Sequence, residues 1–245
     1  MMFNFQDKTL LLTGANGGIG REIVKLLASQ KMNLVLADRD LVPLQSFAEE
    51  FQSCARILCL PQDAADPRSA QFLVDETVKH FGEIDFIVPA AGIYRAEPFA
   101  EMTDEEWRTT LSTNLDAVFY LLRRAVPHLS AQSAIVNLAS LAAFRGAFTN
   151  VHYAASKGAL VSMTRSLSRE LAPNTRVNAV APGIIETPMI KILSQDRADS
   201  TIKDTPLGRL GLPVEVASVI VFLLSQGASF ITGETIQVNG GIYMV

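Results

Sequence analysis

The stretch from Lys8 to Gly20 constrains this chain most. Lys8-Thr9-Leu10-Leu11-Leu12-Thr13 is an apolar run of strand length, and it passes without a spacer into Gly14-Ala15-Asn16-Gly17-Gly18-Ile19-Gly20. Ile23, Val24, Leu26, Leu27 and Ala28 then recur at helical spacing, so the unit reads strand, glycine turn, helix. Glycines in such a turn let the backbone approach a phosphate, whose charge is met by free N–H groups at the helix N-terminus. The literal Gly-x-Gly-x-x-Gly fingerprint is absent. The spacing is Gly14-x-x-x-Gly18-x-Gly20, and the candidate cradle is Gly14, Asn16, Gly18, Ile19 and Gly20.

A second strand, Asn33 to Ala37, ends at Asp38. An acidic residue about twenty positions after a glycine turn can accept hydrogen bonds from the adenosine ribose hydroxyls and repel a 2′-phosphate, which favours NAD over NADP. Arg39 follows, and it can attract a phosphate, stack on the adenine or face solvent. The alternation then continues: helix 42–52, strand 56–61, helix 67–81, strand 84–88, a long helix 103–129, strand 134–138, helix 152–171, strand 176–180, a loop and helix near 188–203, helix 213–224 and strand 235–238. Thr103 and Glu106 form a capping box that starts the long helix. No linker, repeat or low-complexity tract interrupts the pattern. It predicts one doubly wound α/β domain over 1–245, Rossmann-type, with a parallel seven-stranded sheet, helices on both faces and a substrate loop and helix near 188–206.

With 245 residues, 49% hydrophobic and 19% charged, the chain can bury a large single core. A formal charge of -4 with no basic stripe argues against a nucleic-acid partner. No apolar run reaches membrane-spanning length, and the N-terminus lacks the basic-then-apolar order of a signal peptide, so a soluble cytoplasmic protein is expected. Cys54 and Cys59 are expected to be unpaired buried thiols, and with His80, His128 and His152 they offer no metal-ligand spacing.

In a doubly wound sheet, ligands lie beyond the carboxyl ends of the strands. Gly14 to Gly20, Asp38, Gln62-Asp63-Ala64, Pro89 to Gly92, Ser140 and Pro182 to Thr187 therefore form one rim. The helix beginning at His152 carries Tyr153 and Lys157, four residues apart and so on one face. An unperturbed phenol titrates near 10, and a nearby ammonium that lowers it by roughly three units supplies about 4 kcal/mol.

These motifs together resemble the short-chain dehydrogenase/reductase family over essentially the whole chain. The glycine turn from Thr13 is similar to the family's cofactor motif. Asn114 stands in its asparagine position, Ser140 lies 13 residues before Tyr153, Tyr153-x-x-x-Lys157 matches its catalytic pair, and Pro182-Gly183-Ile184-Ile185-Glu186-Thr187 resembles its nicotinamide segment. One motif departs: Pro89-Ala90-Ala91-Gly92 stands where the family has Asn-Asn-Ala-Gly or Asn-Ala-Ala-Gly. Proline should sit at the strand end. The family's Ala-Gly, here Ala91 and Gly92, is kept beside the cofactor ribose.

The resemblance implies an NAD-dependent oxidoreductase that interconverts a secondary alcohol and a ketone. Tyr153 would be the general acid/base, Ser140 a polariser of the reacting oxygen, Lys157 a tuner of Tyr153 that also holds the ribose, and Asn114 the holder of a water linking Lys157 to solvent. Asp63 and Ala64 would lie near the adenine, and Pro182, Gly183, Ile185 and Thr187 against the nicotinamide. For Asn114 the plain alternative is a polar residue that satisfies backbone. An NADP-linked 3-oxoacyl-type reductase and a silent nicotinamide-binding scaffold are the alternative functions. The substrate wall is expected from Tyr94, Arg95, Leu141 to Gly146 and Met189 to Lys203. Small residues Ala154, Ala155, Gly158, Ala159 and Ser162 on the Tyr153 helix suggest packing against a second copy, with a homotetramer expected and a dimer next.

Overall fold

The computed structural model describes residues 4–188 and 195–244, with no side-chain description for 195–199. Its strands are β1 (Thr9–Thr13), β2 (Asn33–Asp38), β3 (Arg56–Pro61), β4 (Ile84–Pro89), β5 (Leu129–Leu138), β6 (Thr175–Pro182) and β7 (Thr235–Val238). They form one sheet in the order β3-β2-β1-β4-β5-β6-β7, every pair parallel. The helices are α1 (Gly18–Ala28), α2 (Leu41–Glu49), α3 (Pro67–Phe81), α4 (Asp104–Leu111), α5 (Ala117–Ala125), α6 (Ala142–Arg145), α7 (Val151–Glu170), α8 (Gln195–Asp204) and α9 (Pro213–Leu224).

Strand periodicity sorts the core into two layers. In β1, Leu10 and Leu12 join Ile23 and Leu27 of α1, Phe47 of α2 and Ile220 and Leu223 of α9. Leu11 points the other way and joins Leu73 of α3, Leu121 of α5 and Leu160 of α7. Alternate side chains of a strand point to opposite faces, so a run of consecutive leucines is apolar on both sides. Helices therefore cover both faces, the doubly wound fold the alternation predicts.

Two expected elements differ. The long helix 103–129 is interrupted: α4 gives way to a π turn at Ser112–Asp116, then α5, then a 3₁₀ turn at Val126–His128. The capping box at Thr103 is as expected, with the Glu106 N–H donating to Thr103 Oγ1 at 3.2 Å and the Thr103 N–H to Glu106 Oε2 at 2.7 Å. Strand β5 begins at Leu129 rather than Ala134. Asp85, at the base of β4, supplies a physical reason: it accepts from Ser130 Oγ at 2.6 Å, from Lys8 Nζ at 2.8 Å and from the Thr9 N–H at 2.8 Å. These bonds stitch the starts of β1, β4 and β5 together. The cysteines also differ from expectation, since Cys54 is exposed and Cys59 only partly buried; both are free.

Pro89 is the last residue of β4, opposite Thr13. The Ala90 N–H donates to the Thr13 carbonyl at 3.2 Å, facing β1, and N–H directions alternate along a strand. The missing N–H of Pro89 therefore faces β5, whose register with β4 ends at Ile87 and Ile135.

The Asp85 carboxylate is only 5% exposed, and removing it strands two buried donors, the Thr9 N–H and the Ser130 hydroxyl, while the half-exposed Lys8 turns to water. The Asp85→Ala variant is expected to lose about 3 kcal/mol of unfolding free energy, measured by urea denaturation.

Candidate active site

The sheet order reverses between β1 and β4, and the strand ends there open into a cleft of about 1220 Å³. Gly14 forms its floor. Its φ is +64°, and a Cβ there would lie 2.6 Å from the Ala91 nitrogen, so only glycine fits. A Cβ on Gly18 would lie 2.8 Å from Thr187 Cγ2, which places the phosphate turn against the segment after β6. These bare backbones form the cradle that a dinucleotide pyrophosphate needs, so the residues present fit a nicotinamide dinucleotide.

Asn16, Ile19, Gly20, Asp38, Arg39, Asp63, Ala64, Ala91, Gly92, Ser140, Tyr153, Lys157, Pro182, Gly183, Ile185 and Thr187 line the same cleft with Gly14 and Gly18. Asp38 ends β2 and accepts the Asn16 N–H at 2.9 Å, so its carboxylate also braces the glycine turn. Arg39 stands at the cleft rim, its side chain 84% exposed and 3.6 Å from Asp40. Asp63 accepts the Ala65 N–H at 3.0 Å and so stabilises the turn after β3.

Asn114 alone among the expected catalytic and cofactor-binding residues does not line the cleft. It lies buried in the π turn, where Oδ1 accepts the Ile93 N–H at 2.8 Å and Nδ2 donates to the Ile93 carbonyl at 2.9 Å. It satisfies backbone, the plain alternative read from the sequence. It also fixes the chain leaving Gly92, where a Cβ would lie 3.2 Å from Asn114 Oδ1 and 3.8 Å from Lys157 Nζ.

The substrate side differs from expectation. Tyr94, Arg95, Leu141, Ala142, Arg145 and Gly146 line the cleft, but Ala143 and Phe144 turn away to pack on Ala139, Val161, Ala179 and Ala181. Four residues of helix cannot show every side chain to one side. Thr109, Thr113, Ala147, Phe148 and Ile242 line the cleft without having been singled out in the sequence. Thr109 comes from α4 and Thr113 from the π turn, while Ala147, Phe148 and Ile242 come from loops, where periodicity gives no signal. Met189, Ile190, Ile192 and Leu193 lie outside the described residues. Among the described residues no group of three His, Cys, Asp or Glu side chains is placed to hold a metal, and no helix is long and apolar enough to cross a membrane.

A family model described as enoyl-(acyl carrier protein) reductase matches residues 14–243. The 3-oxoacyl-(acyl-carrier-protein) reductase FabG of Escherichia coli (strain K12) is 36% identical over 245 residues, covering 99% of this chain and all of that protein. The chain belongs to the short-chain dehydrogenase/reductase family. A Brucella melitensis short-chain dehydrogenase/reductase, described as glucose/ribitol dehydrogenase, is 59% identical with a TM-score of 0.97, each chain fully covered. The short-chain dehydrogenase/reductase of Serratia marcescens BCRC 10948 is 29% identical with a TM-score of 0.93, over 98% of this chain and 99% of that one. The family membership makes this chain an oxidoreductase that uses a nicotinamide cofactor and a small-molecule substrate.

In this short-chain dehydrogenase/reductase, α7 places Tyr153 and Lys157 one turn apart, as the spacing predicts, with Lys157 Nζ 5.7 Å from the centre of the Tyr153 ring. Their electrostatics are the reverse of the simple expectation. Burial pushes the Tyr153 phenol up to about 12; the hydrogen bond with Ser140 pulls it back, and Tyr94 raises it further. Burial pulls Lys157 down to about 8, although its Nζ donates to the Leu138 carbonyl at 2.7 Å. Removal of water sets the direction of both shifts. The Ser140 Oγ also accepts the Ala142 N–H at 3.1 Å, which fixes it beside the phenol.

The lysine shift carries a stability signature. Lys157 sheds its proton near pH 8 when folded and near 10.5 when unfolded, so the unfolded chain holds the extra proton in between. Stability contributed at this site therefore rises as pH climbs from about 8 towards 10.5 and is flat well below 8. In urea denaturation, wild type should gain on the Lys157→Met variant across that window and stay parallel to it near neutrality.

Proposed function

We propose that the chain is an NAD-dependent oxidoreductase interconverting a secondary alcohol and a ketone, with Tyr153 as general acid/base. The observation that carries this reading is the meeting of Tyr153, Ser140 and Lys157 in the cleft whose other end holds the glycine cradle and Asp38. The bound nicotinamide supplies the hydride acceptor or donor. Tyr153 gives a proton to the carbonyl oxygen during reduction and takes one from the hydroxyl during oxidation. Ser140 hydrogen-bonds that same oxygen and lowers the cost of its developing charge. Lys157 holds the ribose hydroxyls and keeps a positive charge beside the phenol, which favours its ionised form. Asn114 has its amide committed to Ile93, and its carbonyl oxygen has a second lone pair to hold a water behind Lys157.

One feature supports NAD: Asp38 ends β2 with its carboxylate at the cleft, where it would repel a 2′-phosphate. A second reading, an NADP-linked 3-oxoacyl-type reductase, takes its substrate class from the name of the E. coli relative. The Brucella protein's description adds sugars and polyols to the substrates worth trying. A screen with acetoacetyl-coenzyme A, sugars, polyols and simple ketones, run with both cofactors in parallel, separates these readings. Turnover of acetoacetyl-coenzyme A with NADPH alone would favour the second.

In that assay Tyr153→Phe is expected to lower kcat about a thousandfold while NAD affinity changes little. Asp38→Ala is expected to shift the NAD-to-NADP preference by about tenfold or more towards NADP. We further propose a homotetramer, with a dimer as the next choice. Ala155 and Ser162 on α7 stay exposed, and Val151 and Phe119 are exposed apolar side chains on α7 and α5. Light scattering at micromolar concentration checks this, and a monomer would overturn it.

A further inference from the structure

An asparagine at a helix N-cap normally spends its side chain on the first-turn N–H groups, a bond of about 1 kcal/mol. Asn150 is the N-cap of α7 and makes no such bond. Both ends of its fully buried amide instead hold the chain that follows β4. Its Oδ1 accepts from the Tyr94 hydroxyl at 3.1 Å, and its Nδ2 donates to the Arg95 carbonyl. Tyr94 in turn sets its ring edge-on to Tyr153, with centroids 4.9 Å apart and planes at 87°.

A second local cost lies beside the first. Thr149 has φ of +62°, a left-handed conformation that β-branched residues avoid. Its carbonyl accepts the Glu97 N–H at 2.7 Å. The Glu97 carboxylate meets the buried His152 imidazole at Nε2, so the 94–97 segment is fastened to the start of α7 at three successive places. Unspent caps and strained residues persist where the arrangement they permit is needed.

We propose that Asn150 is a positioning residue for the proton-transferring tyrosine, acting through Tyr94. This rests on the role assigned to Tyr153 above. Asn150 holds the Tyr94 hydroxyl, the Tyr94 ring closes one side of the Tyr153 phenol, and the phenol is thereby kept at the Ser140 side of the cleft. The bracket keeps water off Tyr153 and fixes its direction. The groups bearing on Tyr153 are Ser140 after β5, Tyr94 after β4 and Lys157 on α7. Arg95 and Arg145 also line the cleft, and the His152 and Glu97 pair adjoins it.

The test uses substitutions that cut the bracket without removing the helix cap or the ring. Asn150→Ser leaves a good capping residue, and Tyr94→Phe keeps the aromatic edge. With the alcohol or ketone turned over fastest in the two-cofactor screen, each is expected to lower kcat about tenfold with cofactor KM unchanged. The double variant should fall no further than either single one, because both cut one chain of contacts. The second readout needs neither substrate nor cofactor. The chain has 4 tyrosines, so ring-carbon NMR of tyrosine-labelled protein resolves Tyr153, assigned with Tyr153→Phe. At about pH 10, where an ordinary tyrosine is half ionised, wild-type Tyr153 should remain a phenol. In Asn150→Ser it should begin to ionise, since exposure and a loosened Tyr94 both lower its pKa. Unchanged kcat and titration in both variants, or losses that multiply in the double variant, would overturn the proposal. So would a loss of kcat that tracks melting temperature while Tyr153 titrates as in wild type. Full activity in Tyr153→Phe would instead sink the role of Tyr153 itself.

Discussion

The close approach of two backbones at the end of β1 governs this molecule. Gly14 meets Ala90 and Ala91 at a distance that no side chain tolerates, while the Thr13 hydroxyl accepts the Ala91 N–H at 3.3 Å. That contact sits where the strand order reverses, so the helices after β1 and β4 leave on opposite faces of the sheet. The cleft between them follows from topology, and the glycine leaves its floor bare. Farther down the same strands, Asp85 fixes their relative height. The sheet is thus clamped at its base by a carboxylate and left open at its top by a missing side chain.

Burial then sets the chemistry. A phenol and an ammonium taken from water both resist ionisation, and here burial is the largest influence on each. A neutral phenol is the right resting state for giving a proton to a carbonyl, whereas accepting one from an alcohol needs added positive charge nearby. In the mechanism proposed above Lys157 supplies that charge, and the two directions of reaction would draw differently on Tyr153, Lys157 and Ser140.

Much of the fold was legible because short apolar runs and helical periodicity are local signals. β3, α3 and β7 fall where the pattern places them, and the rim residues from Gly14 to Thr187 converge as strand-end reasoning requires. What was not legible depends on partners distant in sequence. The π turn matches the reach of Asn114 to Ile93, and β5 starts early where Ser130 finds Asp85. The apolar string from Leu141 to Phe144 reads as one wall, but a single helical turn splits it between cleft and core. Asn150 is the clearest case: the pattern starts the helix at His152 and gives Asn150 no part, whereas it stands at the N-cap with its amide turned to Tyr94 and Arg95.

The carboxylate at the end of β2 has a consequence for how such a chain can diverge. Asp38 faces the cleft and also accepts the Asn16 N–H, so the carboxylate proposed above as the cofactor selector is also a strut. A lineage drifting towards the phosphorylated cofactor cannot simply discard it, because the glycine turn would lose an acceptor in the same step. The accessible route is a paired change, in which a new acceptor for Asn16 arises before or together with the loss of the charge. On the proposed reading, cofactor choice is thereby tied to the geometry of the turn.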